Sequence, residues 1–410
     1  MNIALIIEQF DPEGGGAQRS LAQIAHHLME RGHRVTVITG SYYSRPQMGD
    51  LHVIYLYPQK RRSALSSLQL ARWARDKVAN GRFDASLSVT TAIPATVVQP
   101  RSGTVHETQR RNVALRTGVA AQWLKRGLLA VSPKQRTLLY LEKRALADPT
   151  VQQFVAVSRY VVEQLVGHYA IDPSRVTLVP NAAEVPDVEP KQRASWRSEV
   201  HRGFKVPPDR PVYLFAAYNP RLKGSRSLLQ AVRRLKDRGV DLTLMLAGRQ
   251  VYDQQRLAAQ LDIRDRIRFV GSTNRMEQFY AATDVTVHPT YYDPASKVVI
   301  ESLMMGVPAI TTAYNGASDH VVGANHESRG RVIDDPSDID DLAQAMAELA
   351  DPDERRRCAA ATAGLADTLC MARHVDRLET VLAEAAERRA SQPDAALQGE
   401  PPPAYNGGLD

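Results

Sequence analysis

Residues 2–38, NIALIIEQFDPEGGGAQRSLAQIAHHLMERGHRVTVI, read as one βαβ unit. Asn2–Ile7 is a short apolar run of the kind that forms a strand buried on both faces. A loop with Gly14, Gly15 and Gly16 follows. Leu21, Ile24, Ala25 and Leu28 then recur at i, i+3, i+4 and i+7, the stripe of an amphipathic helix. Gly32 stands where a helix C-cap belongs, and Val35, Val37 and Ile38 supply the next strand.

The same plan recurs in the second half. Val212–Ala217 reads as a strand and Tyr218–Gly224 as a loop. Leu228, Leu229, Val232 and Leu235 form a helical stripe ended by Gly239, and Asp241–Ala247 is the following strand. Two halves that each open with a βαβ unit predict an α/β protein of two doubly wound domains, each with its own parallel sheet. Prolines 180, 186, 190, 207, 208 and 211 crowd the joint, and proline suits neither helix interiors nor central strands. The expected organisation is a first domain over 1–185, a second over 186–371, a closing helix over 372–390 and a disordered tail over 391–410.

The chain has 410 residues, 43% hydrophobic and 24% charged, which excludes collagen-like, mucin-like and wholly disordered classes. Two cysteines, Cys358 and Cys370, exclude a disulfide-rich scaffold and argue against a cysteine-built zinc site. The run Ile3–Ile7 is broken by Glu8 and lacks a basic flank, so it is not a signal peptide. No stretch reaches the roughly 18 apolar residues of a spanning helix. A cytoplasmic protein, able to lie on the inner face of a membrane, is expected. The formal net charge is +7, yet residues 101–144 alone hold ten Lys/Arg against two acidic residues. Arg110, Arg111, Lys125 and Arg126 interleave there with Trp123 and several leucines, a pattern suited to an anionic membrane surface. A solvated basic helix pair is the ordinary alternative. Nucleic acid is not an expected partner: the basic balance permits it, but no reader motif is present and aromatics are only 6%.

Three motifs could carry chemistry. In the Gly14–Gly16 loop, glycines let backbone approach a ligand and the helix N-terminus favours anions. Arg221–Gly224 (RLKG) offers two cations beside the matching helix. The third is residues 288–319, HPTYYDPASKVVIESLMMGVPAITTAYNGASD. Asp293 precedes a predicted helix Lys297–Met305 that carries Glu301. Two carboxylates for hydroxyls and free amides for oxygens would thus converge. Alternatively Asp293 is an N-cap with Pro294 at the first helical position, and Glu301 is a surface residue.

This last segment resembles the E-x7-E region of retaining glycosyltransferases of family 4, which have the GT-B fold. Further stretches follow in the family's order: Gly14–Gly16, FVAVSRYVVEQLVGHY at 154–169, RVTLVPNAA at 175–183, FAAYNPRLKG at 215–224 and RIRFVGSTNRMEQFYAATDVTVHP at 266–289. Within the family, the wording at 288–312 looks most similar to bacterial lipopolysaccharide core glucosyltransferases. Three departures stand out: Asp293 replaces the first Glu, Asn181-Ala182 replaces Asn-Gly, and Arg221 stands closer to Lys223 than is usual.

The resemblance implies a hexosyltransferase with two Rossmann-like domains facing across a cleft and the C-terminal helix packing back on the first domain. The first domain would bind a glycan or glycolipid acceptor and the second a nucleotide-sugar such as UDP-glucose. Lys223, Arg221 and the amides of Gly15 and Gly16 would hold the diphosphate, Glu301 the ribose, and Arg249 would lie near the base. Asp293 with the amides of Ala295, Ser296, Lys297 and Val298 would hold the donor sugar, with His106 as a further hydrogen bond near the reacting carbon. No metal or other cofactor is expected. The competing readings are a basic nucleic-acid-binding protein and a GT-B enzyme of another reaction, such as a sugar-nucleotide epimerase.

Overall fold

The computed structural model describes residues 1–43, 51–57, 63–249, 252–323 and 327–391. The expected tail therefore lies outside the described residues, except for Ser391, which closes the final helix.

Apolar strand segments build two parallel sheets. The first contains β1 (Asn2–Phe10), β2 (Arg34–Tyr42), β3 (His52–Tyr57), β4 (Ala85–Ser88), β5 (Val97–Val98), β6 (Gln153–Ala156) and β7 (Val176–Leu178). Its order is β3-β2-β1-β4-β5-β6-β7. The second contains β8 (Val212–Ala216), β9 (Thr243–Ala247), β10 (Ile267–Gly271), β11 (Val285–His288), β12 (Ala309–Thr312) and β13 (Gly330–Ile333), ordered β10-β9-β8-β11-β12-β13. Residues of β1 interleave with both neighbours, Leu5 lying opposite Val37 on one side and Leu87 on the other. In each sheet the strand order reverses beside the first strand, between β1 and β4 and between β8 and β11. Such switch points open a crevice beyond the carboxyl ends of the strands, where doubly wound sheets take ligands.

The helical stripes bury as their spacing predicts. Leu21, Ile24, Ala25 and Leu28 pack on β1 and β2, and Leu228, Leu229, Val232 and Leu235 pack on the second sheet. Gly32 and Gly239 both take positive φ at the helix ends, +81° and +73°. The closing helix runs Met371–Ser391 and returns to the first domain as expected. Its Met371, Val375, Leu378, Val381, Leu382 and Ala385 join the same core as Ile3, Leu5 and Leu21. Arg31 fixes the crossing through Asp376 at 2.7 Å and Glu379 at 2.8 Å. His374 Nδ1 lies 2.7 Å from the Pro180 carbonyl oxygen, so the linker approach is tied to this helix as well.

Leu378 is fully buried in that core. Leu378→Ala should lower stability by about 2–5 kcal/mol, because deleting buried methyl groups forfeits their transfer energy and leaves a cavity. Denaturant unfolding followed by circular dichroism would show the loss as a lower midpoint.

Candidate active site

The loop after β11 ends on Asp293, whose amide donates to the Tyr314 carbonyl and whose own carbonyl accepts from Gly316, both at 2.9 Å. The Asp293 carboxylate meets the Lys223 ammonium at 2.6 Å. Lys223 also donates to the Tyr292 carbonyl at 2.9 Å. Buried His288 stands 3.7 Å from the same carboxylate. Burial works to raise the Asp293 carboxyl, but Lys223 and His288 overcome it and hold it well below the usual carboxylate range. Asp293 is therefore ionised at neutral pH and part of a charge cluster. It is not an N-cap: the helix begins at Lys297, with Ser296 at the cap position.

Gly224 lets Lys223 come so close. Its φ is +78°, and a Cβ there would lie 1.9 Å from the Pro289 carbonyl oxygen. The loop after β8 thus rests directly on the loop after β11. A side chain at this position would both clash and strain the backbone.

The helix Lys297–Met304 supplies the rest of this wall. Of the four amides expected to face a donor sugar, two are already engaged: Ala295 N–H donates to Asp293 Oδ1 and Ser296 N–H to Asn315 Oδ1. The amides of Lys297, Val298 and Val299 find no acceptor among the described residues. Unpaired amides of a first helical turn are an anion- and hydroxyl-binding surface. Of the four expected amides, only those of Lys297 and Val298 are therefore free to donate.

The Lys297 side chain is a finding beyond its amide. Its Nζ donates to Gln23 Oε1 of the first domain at 2.9 Å. Burial, followed by the nearby Arg101 charge, pushes this ammonium down to about 8. Glu301, one turn on, accepts from the Tyr280 hydroxyl at 2.8 Å. Burial raises the Glu301 carboxyl, while Tyr280, Lys297 and Arg19 oppose that rise. Arg19 comes from the first turn after the Gly14–Gly16 loop, so its charge enters the site from the opposite domain.

Several further contacts hold the two walls together. Ser158 Oγ donates to the Pro294 carbonyl at 2.6 Å and Asn181 Nδ2 to the Ala295 carbonyl at 2.7 Å. The Tyr292 hydroxyl meets Gln164 Oε1 at 3.0 Å. Gly103, at φ +70°, leaves room for that hydroxyl, which would lie 1.7 Å from a Cβ. Asn181 is thus a domain-to-domain brace, with Arg101 donating to its other amide atom.

Gly15 caps the helix Gly16–Glu30 with its carbonyl, and a Cβ on Gly15 or Gly16 would meet nothing within 4 Å. Neither position has positive φ. Fold and packing thus place no demand for glycine at these two positions. Arg221 and Arg249 are exposed, and the structure brings neither into contact with Asp293 or Glu301. His106 is exposed in the first turn of the helix Val105–Ala114, its ring 4.3 Å from that of His168 and its amide donating to Glu142. Burial and the His168 charge hold its pKa below the ordinary value.

One membrane-surface assignment is corrected. Arg111 is not on a free surface: its guanidinium pairs with buried Glu107 and lies 3.5 Å from the Tyr314 ring centroid in the second domain. Burial would raise Glu107, but Arg111 and Tyr160 hold it at about 2. Arg110 also pairs with Glu107, at 3.5 Å, but stays largely exposed. His106, Glu107 and His168 have the spacing of a metal group. Arg111 and Tyr160 already donate to Oε1 of that carboxylate, while His168 meets Oε2. By contrast, the helix Val119–Val131 buries none of its residues. Trp123 is 66% and Leu124 67% exposed. At 100° per residue, Trp123, Leu124, Leu128 and Val131 share an arc of about 140°, flanked on either side by Lys125 and Arg126. Among the described residues, no helix is long and apolar enough to cross a membrane.

Two doubly wound parallel-sheet domains meeting at a cleft are the architecture of the GT-B class. Residues 14–185 match the family model described as Glycosyltransferase Family 4 and residues 197–364 that of Glycosyl transferases group 1. The chain belongs to the family 4 glycosyltransferases. It is 29% identical over 298 residues to a D-inositol 3-phosphate glycosyltransferase of Geodermatophilus obscurus, covering 67% of this chain and 62% of that protein. It is 33% identical over 111 residues to the lipopolysaccharide core biosynthesis glycosyltransferase LpsE of Rhizobium meliloti, covering 27% and 32%. The chain thus spans less than two thirds of the length of these curated relatives. Among solved structures it is similar to WaaG, a glycosyltransferase involved in lipopolysaccharide biosynthesis, with TM-score 0.75 and 21% identity over 93% of this chain and 99% of that one. It is also similar to Anabaena HepE in complex with UDP-glucose, with TM-score 0.63 and 16% identity over 96% and 100%.

Lys223→Met should destabilise the protein by about 3–5 kcal/mol, because it leaves a mostly buried carboxylate without its partner. Adding Asp293→Asn should recover much of that loss. A double-mutant cycle read by urea denaturation measures the coupling, and additive losses would contradict it.

Proposed function

We propose that this protein is a retaining hexosyltransferase that moves a sugar from a nucleotide-sugar, UDP-glucose or a close analogue, to a glycan or glycolipid acceptor of the lipopolysaccharide-core kind. One observation carries the reading: Lys223, Lys297 and free helix amides stand beside Asp293 and Glu301 at the switch point, opposite the Gly15–Arg19 segment of the other domain. Cations and amides suit a diphosphate, and carboxylates suit hydroxyls. The family resemblance and the UDP-glucose complex of a similar structure support the donor class.

In this proposal the diphosphate lies between the Gly15 and Gly16 amides and Lys297, with Arg19 and Arg221 nearby. The Lys223 ammonium has three donors, two already on Tyr292 and Asp293, so one stays available. Glu301 accepts from the ribose hydroxyls, and Arg249 lies toward the base. Asp293 and the amides of Lys297 and Val298 hold the donor sugar. His106, held neutral, adds an uncharged hydrogen bond. As the sugar–phosphate bond breaks, negative charge grows on the diphosphate, where these fixed donors stabilise it. The acceptor hydroxyl attacks from the same face, giving its proton to the leaving phosphate, with no protein nucleophile. Cations and helix amides then meet the charge requirement that a metal meets elsewhere, so the reaction is proposed to be metal-independent.

The acceptor would enter through the first domain. The exposed apolar arc of Val119–Val131, with Lys125 and Arg126 at its edges, would rest on the anionic inner face of the cytoplasmic membrane, with Arg110 nearby.

UDP affinity should fall about tenfold between pH 7 and 9. Lys297 is charged below about 8, so its attraction for the diphosphate is present at pH 7 and lost above. Lys297→Gln should weaken binding at pH 7 and flatten this slope. Calorimetric titration with UDP checks both, and a wild-type affinity that is flat with pH contradicts the assignment. Glu301→Ala should weaken UDP about 10–100-fold, the range for a hydrogen bond to a charged group. For the membrane surface, vesicles of phosphatidylglycerol should retain the protein in a salt-sensitive way. Lys125→Gln with Arg126→Gln should reduce retention, whereas equal retention by neutral phosphatidylcholine vesicles would count against the surface.

A further inference from the structure

Glu8 has no part in the donor site, yet it interrupts the most apolar strand of the first domain. β1 is buried from Ile3 to Ile7, and Glu8 is then exposed. It opens into a cavity of about 250 Å³ at the carboxyl ends of β1, β2 and β4. Gly40, on β2 beside it, keeps this space open: a Cβ there would lie 2.6 Å from the Glu8 carbonyl oxygen and 2.8 Å from Leu70.

The lining joins two chemistries. Leu70, Ala92, Ile93 and Leu138 form an apolar side, while Gln9, Gln18, Ser41 and Ser102 are polar. The side-chain carbonyl oxygens of Gln9 and Gln18 are buried and unpartnered, so two acceptors there await donors. Thr90 donates its hydroxyl to Glu8 Oε1, which orients the carboxylate. Among the described residues that line the cavity, Glu8 is the one charged side chain.

Two segments of the cavity lining are continuous in sequence with residues that face the second domain. Ala17 and Gln18 follow the Gly15–Gly16 loop and precede Arg19, whose charge reaches Glu301. Ser102 lies between Arg101, which holds Asn181, and Gly103, which packs on Tyr292 and Pro294.

We propose that this cavity seats the ring of an uncharged polyhydroxylated acceptor, a sugar or a cyclitol, and that Glu8 selects it against a ring carrying phosphate. The proposal rests on the glycosyl-transfer reading above. A carboxylate with Gln and Ser neighbours accepts hydroxyl hydrogens and offers a bidentate seat for vicinal hydroxyls. A phosphate in the same place would meet a like charge, with no cation among the described lining groups. The relatives named for D-inositol 3-phosphate are named for a phosphorylated ring, so this chain diverges from them in the charge of its acceptor.

The test uses the full chain saturated with UDP and two matched pairs of probes. These are myo-inositol with its 3-phosphate, and methyl α-glucoside with glucose 6-phosphate. Saturation-transfer NMR titrations should show the neutral member of at least one pair binding about tenfold or more tightly than its phosphate. Glu8→Gln should narrow that gap about tenfold and leave UDP affinity unchanged. The proposal is overturned if the phosphate member binds as well to the wild type, if neither neutral ring binds, or if Glu8→Gln leaves the gap as it was. A matching loss of UDP affinity in Glu8→Gln would also overturn it, by moving the effect to the donor side. Failure of the wild type to bind UDP would instead sink the glycosyl-transfer reading, and the ring titrations would still be read on the free protein.

Discussion

A carboxylate kept ionised while mostly out of water needs a cation held against it. In this protein that pair is Asp293 with Lys223, and the rest of the site is arranged around it. Lys223 reaches Asp293 because Gly224 lets one loop rest on another. With Asp293 fixed, Tyr292, Pro294 and Ala295 present a hydroxyl and two carbonyls to the first domain, which Gln164, Ser158 and Asn181 meet. The same turn aims the first amides of the helix Lys297–Met304 into the cleft. The pair therefore couples charge, backbone direction and domain contact at one place.

Contacts across the cleft combine hydrogen bonds with packing: Ala295 enters an apolar cluster of the first domain, and Tyr160 lies against Tyr292 and Tyr314. A ligand that adds bonds to both walls would favour the closed arrangement, and its release would need some of those bonds to part. Arg111 stacked on Tyr314 extends this boundary toward the helix Val119–Val131.

Much of the fold was legible from periodicity, because both sheets are parallel and buried and their helices carry regular stripes. The stripes at Leu21–Leu28 and Leu228–Leu235 pack as their spacing requires, and the closing helix returns to the first core. The site was only partly legible. Asp293 and Glu301 stood out by spacing, but spacing could not separate a charge cluster from an N-cap. That distinction rests on Lys223, seventy residues away in sequence. Lys297 was visible only as an amide, since its importance comes from burial and from Gln23 in the other domain. Arg19 and Glu8 gave weak signals: a cation one turn past a glycine loop, and a carboxylate ending an apolar run. Arg111 was misplaced because interleaved basic and apolar residues look alike in sequence whether they face lipid or a neighbouring domain. For Val119–Val131 the apolar spacing is that of a core helix, and only the structure shows that no described residue covers it.

The central claim is that nucleotide binds between the two halves, against groups from both. Hydrogen–deuterium exchange with and without UDP tests this most directly, since amides shielded by a ligand or by closure exchange more slowly. The account predicts slowed exchange in three separate segments at once: 14–23 of the first domain, and 217–224 and 293–301 of the second. Protection confined to one domain, or absent from 293–301, would contradict it.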